Sequence, residues 1–256
     1  MILMSSRLGE INYNNFGSKM EIIACRKYGD IDIYFEEYNW VFKNANYSKF
    51  KEGKVKCPYE KRVCNVGFIG EGKYKTMINK KPTISFTEWT SMLYRCYDNK
   101  NPIYNDVAVC EEWHNFQNFA KWFEENYYKV KNETMVLDKD IFHKNKREYS
   151  PETCFFVPER INKLINKKKR NKKDIDLPVG VSVDNRSGRY AARCRIMVEG
   201  ISKSFHLGLY NTIEEAFIVY KNFKENYIKQ VADEYYDLIP RELWKAMYEY
   251  EIEITD

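Results

Sequence analysis

Apolar and polar residues alternate along the first 80 residues, which is the pattern of β-strands. The clearest stretch is MEIIACRKYGDIDIYFEEYNWVF, where a Gly29-Asp30 turn separates two alternating runs and indicates a hairpin. YSKFKEGKVKCP predicts a further turn at Glu52-Gly53, and NVGFIGEGKYKT has too many glycines for a regular element. We therefore expect a small twisted sheet or barrel within residues 1–80.

Helical spacing begins after residue 84. FTEWTSMLYRCYD predicts an amphipathic helix behind Thr87 as its N-cap, with an apolar face of Trp89, Met92, Leu93 and Cys96. NPIYNDVAVC predicts a loop that leads to a short extended piece. EEWHNFQNFAKWFEENYY predicts a second helix, whose apolar stripe we interpret as core packing: Trp113, Phe116, Phe119, Ala120 and Phe123. We interpret His114 as an ordinary polar residue at the edge of that stripe.

A strand–loop–strand–helix order follows in TMVLDKDIFHKNKREYSPETCFFVPERINKLINK. An extended run to Ile141 leads into a polar loop, and YSPET turns the chain into a second extended run, CFFVP. The helix opens at Pro158, because a missing N–H costs nothing in the first turn of a helix.

The last part predicts three strands and a long amphipathic helix. Turns at NRSG and VEGIS separate the strands, and Thr212 with Glu215 predicts a capping box at the helix start. The apolar stripe of this helix is Ala216, Val219, Tyr220 and Phe223. We expect an α+β protein of modular build, with a β-rich module (1–80), a helical and ββα module (84–165), a linker (166–177) and a sheet-on-helix domain with a C-terminal helical extension (178–256).

Strand alternation decides which side chains of this sheet face the helix. The inward set is Val181, Val183, Tyr190, Ala192, Cys194, Ile196, Phe205 and Leu207. The outward set is Ser182, Ala191, Arg193, Arg195, Ser204 and His206, with Arg186 and Arg189 in the adjoining turn. Four arginines near one small face repel each other without an anionic partner, and arginine suits guanine edges and phosphate. The alternative is a solvated basic face without a ligand.

Charge and composition narrow the partners. The net charge of +5 over 256 residues is modest, so the placement of the charges matters more. Seven Lys/Arg lie between residues 163 and 173, which predicts a tether that contacts DNA phosphates through Lys167, Lys168, Lys169 and Arg170. The alternative is a solvated tether without a ligand.

Other function classes are disfavoured by the sequence. It holds no apolar run long enough to span a membrane, and MILMSSRLGE is too short and too soon charged for a signal peptide. The seven cysteines form no CxxC pair, which disfavours a zinc ribbon and suggests reduced thiols in a cytoplasmic protein, in the host bacterial cytoplasm if the gene is carried by a phage.

The C-terminal unit resembles the Apetala-type DNA-binding domain, the fold of plant ethylene-response factors. The matching residues are Gly180-Val181, GRYAARCRI, HLGLY and TIEEAFIVYKNF, over about 55 residues. The resemblance implies that the sheet binds double-stranded DNA in the major groove. The turn at DNRSG is about one residue longer than the family pattern, so the role of Arg186 does not carry over directly.

The strand–loop–strand–helix segment resembles the HNH endonuclease motif, in the variant of phage-encoded, homing-type enzymes. Leu137-Asp138-Lys139 lies where the motif has apolar-Asp-His, and Asn162 falls on its final helical position. The resemblance implies that Asp138 and Asn162 bind one Mg²⁺ or Mn²⁺ ion. Lys139 replaces the histidine that acts as general base, and Thr153 replaces the central asparagine, so both positions depart from the motif.

Three outcomes stay open for this segment. Lys139 is the base or a phosphate ligand, His143 from the loop is the base, or the segment is inert and only binds DNA. Asp140 shares strand parity with Asp138, so either both carboxylates face the metal or both lie on a solvated strand edge. We expect a metal-dependent endonuclease that cuts or nicks double-stranded DNA; the alternative is an inactive DNA-binding regulator or host-interaction protein.

Overall fold

The computed structural model describes residues 7–26, 29–98, 100, 102–139, 141, 147–165, 177–198 and 201–255. These residues form helices and several separate sheets, which confirms the mixed α and β class. Contacts divide the chain into two compact units. The first unit is Met1–Asn126 with Arg147–Pro151, and the second is Tyr127–Lys146 with Glu152–Asp256. The functional modules drawn from the sequence have other boundaries and stay a prediction.

A four-stranded antiparallel sheet opens the first unit, with its strands in chain order: β1 (Ile11–Tyr13), β2 (Lys19–Cys25), β3 (Asp30–Phe35) and β4 (Trp40–Asn46). The β2–β3 hairpin is the one predicted from alternation, and it places Met20, Ile22 and Ile33 in a buried core. A short helix that we did not predict, α1 (Tyr47–Lys51), follows β4. The predicted turn at Glu52-Gly53 ends this helix.

A small hairpin precedes the two longer helices of the first unit: β5 (Met77–Ile78) and β6 (Lys81–Pro82). Helix α2 (Ile84–Tyr97) then begins earlier than predicted, because Thr83 and not Thr87 is its N-cap. The Thr83 hydroxyl accepts the Phe86 N–H at 3.3 Å, whereas the Thr87 hydroxyl donates to the Thr83 carbonyl from inside the first turn. A hydroxyl in that position cannot serve the N-terminal amides.

The predicted aromatic stripe forms the core of the first unit. After the short strand β7 (Ala108–Val109), Trp113 lies in a 3₁₀ turn that precedes helix α3 (Phe116–Asn126). Phe116 packs against Trp89 with their ring centroids 5.5 Å apart, and both side chains are fully buried. His114 is half-buried, and its Nε2 lies 3.0 Å from the Val109 carbonyl oxygen.

The second unit begins with a hairpin and a helix. Strand β8 (Met135–Asp138) ends three residues before the predicted Ile141, because the Asp138 carboxylate accepts the Ile141 N–H at 3.0 Å and turns the chain. The chain then returns to the first unit for strand β9 (Glu148–Tyr149), which pairs in parallel with β7 of that unit. Strand β10 (Phe155–Pro158) returns antiparallel to β8, and helix α4 (Glu159–Ile165) starts one residue after Pro158.

A three-stranded antiparallel sheet completes the second unit: β11 (Val181–Val183), β12 (Tyr190–Val198) and β13 (Ile201–Tyr210). Helix α5 (Ile213–Glu234) packs against all three strands. Its N-terminus carries the predicted capping box of Thr212 and Glu215. Helix α6 (Arg241–Tyr248) follows as the predicted C-terminal extension and packs on α5.

Three positions of this sheet differ from the alternation rule. Phe205, predicted to face inward, is 36% exposed, although its ring contacts Phe223 of α5 with the ring centroids 5.7 Å apart. Val183 is 48% exposed instead of buried, because it is the last residue of the edge strand β11. Ala191 shares the outward parity of Arg193 but has no exposed area, because it lies in the central strand between Ser182 and Leu209. A β-bulge leaves Leu207 unpaired, since Ala192 pairs with Gly208 and Arg193 with His206.

Candidate functional site

The exposed face of the three-stranded sheet gathers the basic residues predicted there. Arg193 pairs with His206 and Arg195 pairs with Ser204 across β12 and β13. Directly paired residues project from the same face of a sheet, and all four side chains are exposed. The placement predicted from alternation is therefore present for these four residues, which we name the arginine face.

The positive charge of this face is not balanced by local ion pairs. Among the described residues, Arg186, Arg193 and Arg195 form no ion pair with a carboxylate. Arg189 differs, because its guanidinium donates to the Leu209 carbonyl oxygen at 2.8 Å and is held against the sheet edge. Arg186 is exposed in the turn before β12. The face thus presents guanidinium groups with unused donors.

One acidic residue of this region escaped the sequence prediction. The Asp184 carboxylate accepts both the Ser187 hydroxyl, at 2.8 Å, and the Ser187 N–H, at 2.9 Å. These hydrogen bonds, helped by the positive charge of Arg193, lower the pKa of Asp184. Asp184 therefore shapes the turn that carries Arg186. The signal for it was the Asp-Asn-Arg-Ser order, since an aspartate often caps the amides that follow it in a turn.

The predicted metal ligands lie in the unit formed by the β8–β10 hairpin and helix α4, which we name the hairpin–helix. Asp138 is the last residue of β8, pairs with Phe155 and is 7% exposed. Lys139 follows at the same 7% exposure. A buried carboxylate or ammonium needs polar partners, because leaving water is costly for a charged group. The Ile141 N–H supplies one such partner to Asp138 and fixes the orientation of its carboxylate.

Helix α4 carries Asn162 and packs against the β8–β10 hairpin. Ile161 and Ile165 are buried one turn apart, and α4 packs against both β8 and β10. Asn162 lies beside Ile161 and is half-buried. Thr153 is buried in the turn before β10, with its hydroxyl 3.6 Å from the Cys154 sulfur. Asp138, Lys139, Thr153 and Asn162 therefore belong to one packed piece of structure.

The remaining predicted residues are outside the part of the chain that the structure describes. These are Asp140 and His143 in the loop after β8, and Lys167, Lys168, Lys169 and Arg170 in the linker. Their roles as base, second carboxylate and phosphate contacts stay predictions.

The donor chemistry of Asp138 and Asn162 fits a hard divalent cation. A carboxylate and an amide both offer oxygen ligands, which Mg²⁺ and Mn²⁺ prefer. The Asp138 carboxylate accepts the Ile141 N–H, and a carboxylate can accept several partners at once. Among the described residues, no three or more His, Cys, Asp or Glu side chains are grouped as a metal site, and Asn162 belongs to none of those residue types.

Comparisons of the chain with known protein families, with curated proteins and with solved structures find no match. Within the residues that the structure describes, no helix has both the length and the apolar character that crossing a membrane requires.

Proposed function

We propose that this protein is a DNA-binding, HNH-like endonuclease of the phage type, which hydrolyses phosphodiester bonds of double-stranded DNA with one Mg²⁺ or Mn²⁺ ion. The observation that carries the proposal is the arginine face. It presents Arg193 and Arg195, without ion-pair partners among the described residues, on an exposed sheet. Exposed guanidinium groups that have no ion-pair partner attract a polyanion such as DNA, and a two-stranded β-ribbon fits the major groove.

The proposed division of labour follows the modular layout. The Apetala-like sheet recognises the DNA site, the basic linker contacts phosphates, and the hairpin–helix cuts or nicks nearby. The role of the N-terminal sheet is not part of the proposal.

The residues of the hairpin–helix have separate roles in the chemistry. Asp138 and Asn162 hold the cation, which when bound polarises the scissile phosphate and stabilises the leaving oxyanion. Lys139 activates water or binds the phosphate, and His143 is the alternative base. The hydrogen bond from Ile141 keeps the Asp138 carboxylate in one orientation, so the ligand does not have to be ordered when the metal binds.

A second function is favoured by one observation, the buried lysine at the position of the usual general base. Lys139 is largely removed from solvent, and Thr153 replaces the asparagine of the motif. Both departures suit a protein that binds DNA as a regulator, or that interacts with a host component, on an inactive HNH scaffold.

A plasmid nicking assay separates these functions. Supercoiled DNA is incubated with the protein and Mg²⁺ or Mn²⁺, and relaxed and linear products are measured. We expect the wild type to cut, and Asp138→Asn and Asn162→Ala to lose at least about 100-fold in rate, because the first removes the negative charge of one proposed ligand and the second removes the other ligand. The exposed Asp237→Asn serves as a matched control with unchanged activity.

The conservative Asp138→Asn variant keeps the shape of a buried side chain, and circular dichroism verifies that it is folded. Absence of cutting by the wild type with either metal, together with retained DNA binding, would favour the regulator. Cutting that survives both substitutions would place the chemistry elsewhere in the chain.

A further inference from the structure

A polar cluster joins the hairpin–helix to the helix that supports the arginine face. Its members are Glu133, Arg160, Glu234 and Tyr235, all in the second compact unit, and we name it the Arg160 cluster. Glu133 precedes β8, Arg160 lies in α4, and Glu234 and Tyr235 end α5. The cluster is therefore formed between segments that are distant in sequence.

The contact between α4 and α5 is an ion pair combined with a ring contact. Arg160 Nη2 lies 2.6 Å from the Glu234 carboxylate, and the guanidinium carbon lies 5.5 Å from the centre of the Tyr235 ring. Burial works against the charge of Arg160, but hydrogen bonds to Glu234 and Tyr235 outweigh it and raise the pKa of Arg160. The guanidinium therefore stays charged and bound to the end of α5.

The contact to the β8 side is made by the tyrosine hydroxyl. Tyr235 is 4% exposed, and its hydroxyl donates to the Glu133 carboxylate. Burial and this hydrogen bond raise the pKa of Tyr235 to about 12. The Arg160 and Glu234 side chains are 36% and 40% exposed, so solvent weakens their ion pair. The buried tyrosine is thus the stronger of the two connections.

The attachment points are close in sequence to the predicted metal ligands. Arg160 is two residues before Asn162 in α4, and Glu133 is two residues before the first residue of β8, which ends at Asp138. At the other side of the cluster, α5 is a continuous helix of 22 residues that packs on β12 and β13. A helix of that length is a rod of roughly 33 Å.

We propose that the Arg160 cluster fixes the spacing between the arginine face and the catalytic hairpin–helix, and so fixes how far from the recognised site the DNA is cut. This inference rests on the proposed function. Arg160, Glu234, Tyr235 and Glu133 are positioning residues, because they hold the elements that carry the site. The basic linker in the sequence suggests that the hairpin–helix and the sheet-on-helix domain are loosely tethered. The Arg160 cluster instead connects them through side-chain contacts between α4, α5 and the segment before β8.

The first test needs no DNA. Hydrogen exchange of the full chain, followed by mass spectrometry, compares the wild type with Glu234→Gln, with Tyr235→Phe and with the double variant. We expect amides of α4 and β8 to exchange about ten-fold faster in the double variant, because a charged and a buried hydrogen bond are lost, while amides in the middle of α5 keep their rate. Glu249→Gln is the control, since it removes an ion pair within α6.

The second test maps the cut. A duplex is selected from a random-sequence pool by binding to the protein, and its cleavage positions with Mg²⁺ or Mn²⁺ are read by sequencing. We expect the wild type and Glu249→Gln to cut at one fixed offset. The double variant should bind that duplex equally well but spread its cuts over several neighbouring positions.

The outcomes separate this inference from the proposed function. Wild-type protein that does not cut would overturn the nuclease proposal, and the exchange experiment would then decide whether the cluster joins the two parts. Unchanged exchange in α4 and β8 of the double variant, or an unchanged cut offset in a protein that does cut, would overturn the role of the cluster.

Discussion

Gly180 occupies the point where β11 approaches helix α5. Its φ of +80° lies in the region that favours glycine, and a Cβ built on it would overlap the ring of Tyr220. The Gly180 carbonyl also accepts the Arg193 N–H at 2.8 Å, so the same residue supports the strand that carries the arginine face. Gly180 therefore contributes both to the close packing of β11 on α5 and to the backbone geometry of the arginine face.

Replacement of Gly180 by alanine should destabilise the second unit. We expect Gly180→Ala to lower the free energy of unfolding by about 3 kcal/mol, through backbone strain and overlap with Tyr220. Gly188→Ala is the matched control, because Gly188 has a φ of +68° but nothing within 4 Å of a built Cβ. It should cost about 1 kcal/mol, from the backbone alone. Urea unfolding measures both, and equal losses would show that the contact with Tyr220 is unimportant.

Alternation of residue types was sufficient to predict the arginine face, but not its borders. Arg193 and Arg195 lie in the middle of a long strand, where continuous pairing with β13 from Arg193 to Val198 maintains the period of two. Val183 lies at the end of an edge strand, where fewer neighbours cover a side chain. The early end of β8 depends on a hydrogen bond that the Ile141 backbone amide donates to the Asp138 carboxylate, which the apolar pattern does not encode.

At the scale of the elements, the start of a helix was predicted correctly where the sequence offered one suitable capping side chain. The capping box of α5 was predicted because Thr212 and Glu215 have the required spacing at a clear start of the helix. The start of α2 was wrong because Thr83 and Thr87 are both suitable caps, and only the folded chain shows which hydroxyl meets the free amides. The same difficulty applies to the candidate site, where the sequence places Asn162 on a helix but does not show that the Asp138 carboxylate accepts the Ile141 amide.

The β12–β13 ribbon should contribute a measurable part of the salt dependence of DNA binding. Each phosphate contact changes the slope of log K against log salt by about 0.9, so Arg193→Ala with Arg195→Ala should flatten the slope by about 2 if both contact phosphates. Fluorescence anisotropy at several salt concentrations measures this. The exposed Arg241→Ala in α6 is the control and should leave the slope unchanged. A double variant with the wild-type slope would mean that the ribbon faces something other than DNA phosphates.

At the scale of the whole molecule, the chain is interleaved between its two units. It leaves the first unit after residue 126, returns to it for residues 147–151, and leaves again. The returning segment pairs with β7, and the Tyr149 carbonyl accepts the Cys110 N–H at 2.9 Å. Tyr149 is buried in this position. This short returning segment thus completes the pairing of β7 within the first unit.

Fragments of the chain test this interleaving. A fragment of residues 1–126 lacks β9. The Ala108 and Cys110 amides then lose the carbonyl oxygens that accept their hydrogen bonds, and Val109 loses Tyr149, the residue with which it pairs. We expect it to be less stable than a fragment of residues 1–151 by about 2 kcal/mol, from two hydrogen bonds and the buried tyrosine. Thermal unfolding compares the two, and equal stability would show that the returning segment is dispensable.

The interleaving also sets an order of events during synthesis. After residue 126 leaves the ribosome, roughly 20 further residues must follow before the returning segment emerges, which takes about 1–4 s at roughly 5–20 residues per second. During that interval β7 is an unpaired edge on a nascent chain that is otherwise ready to fold. The growing polypeptide must therefore keep this edge from pairing with other chains until its own strand arrives.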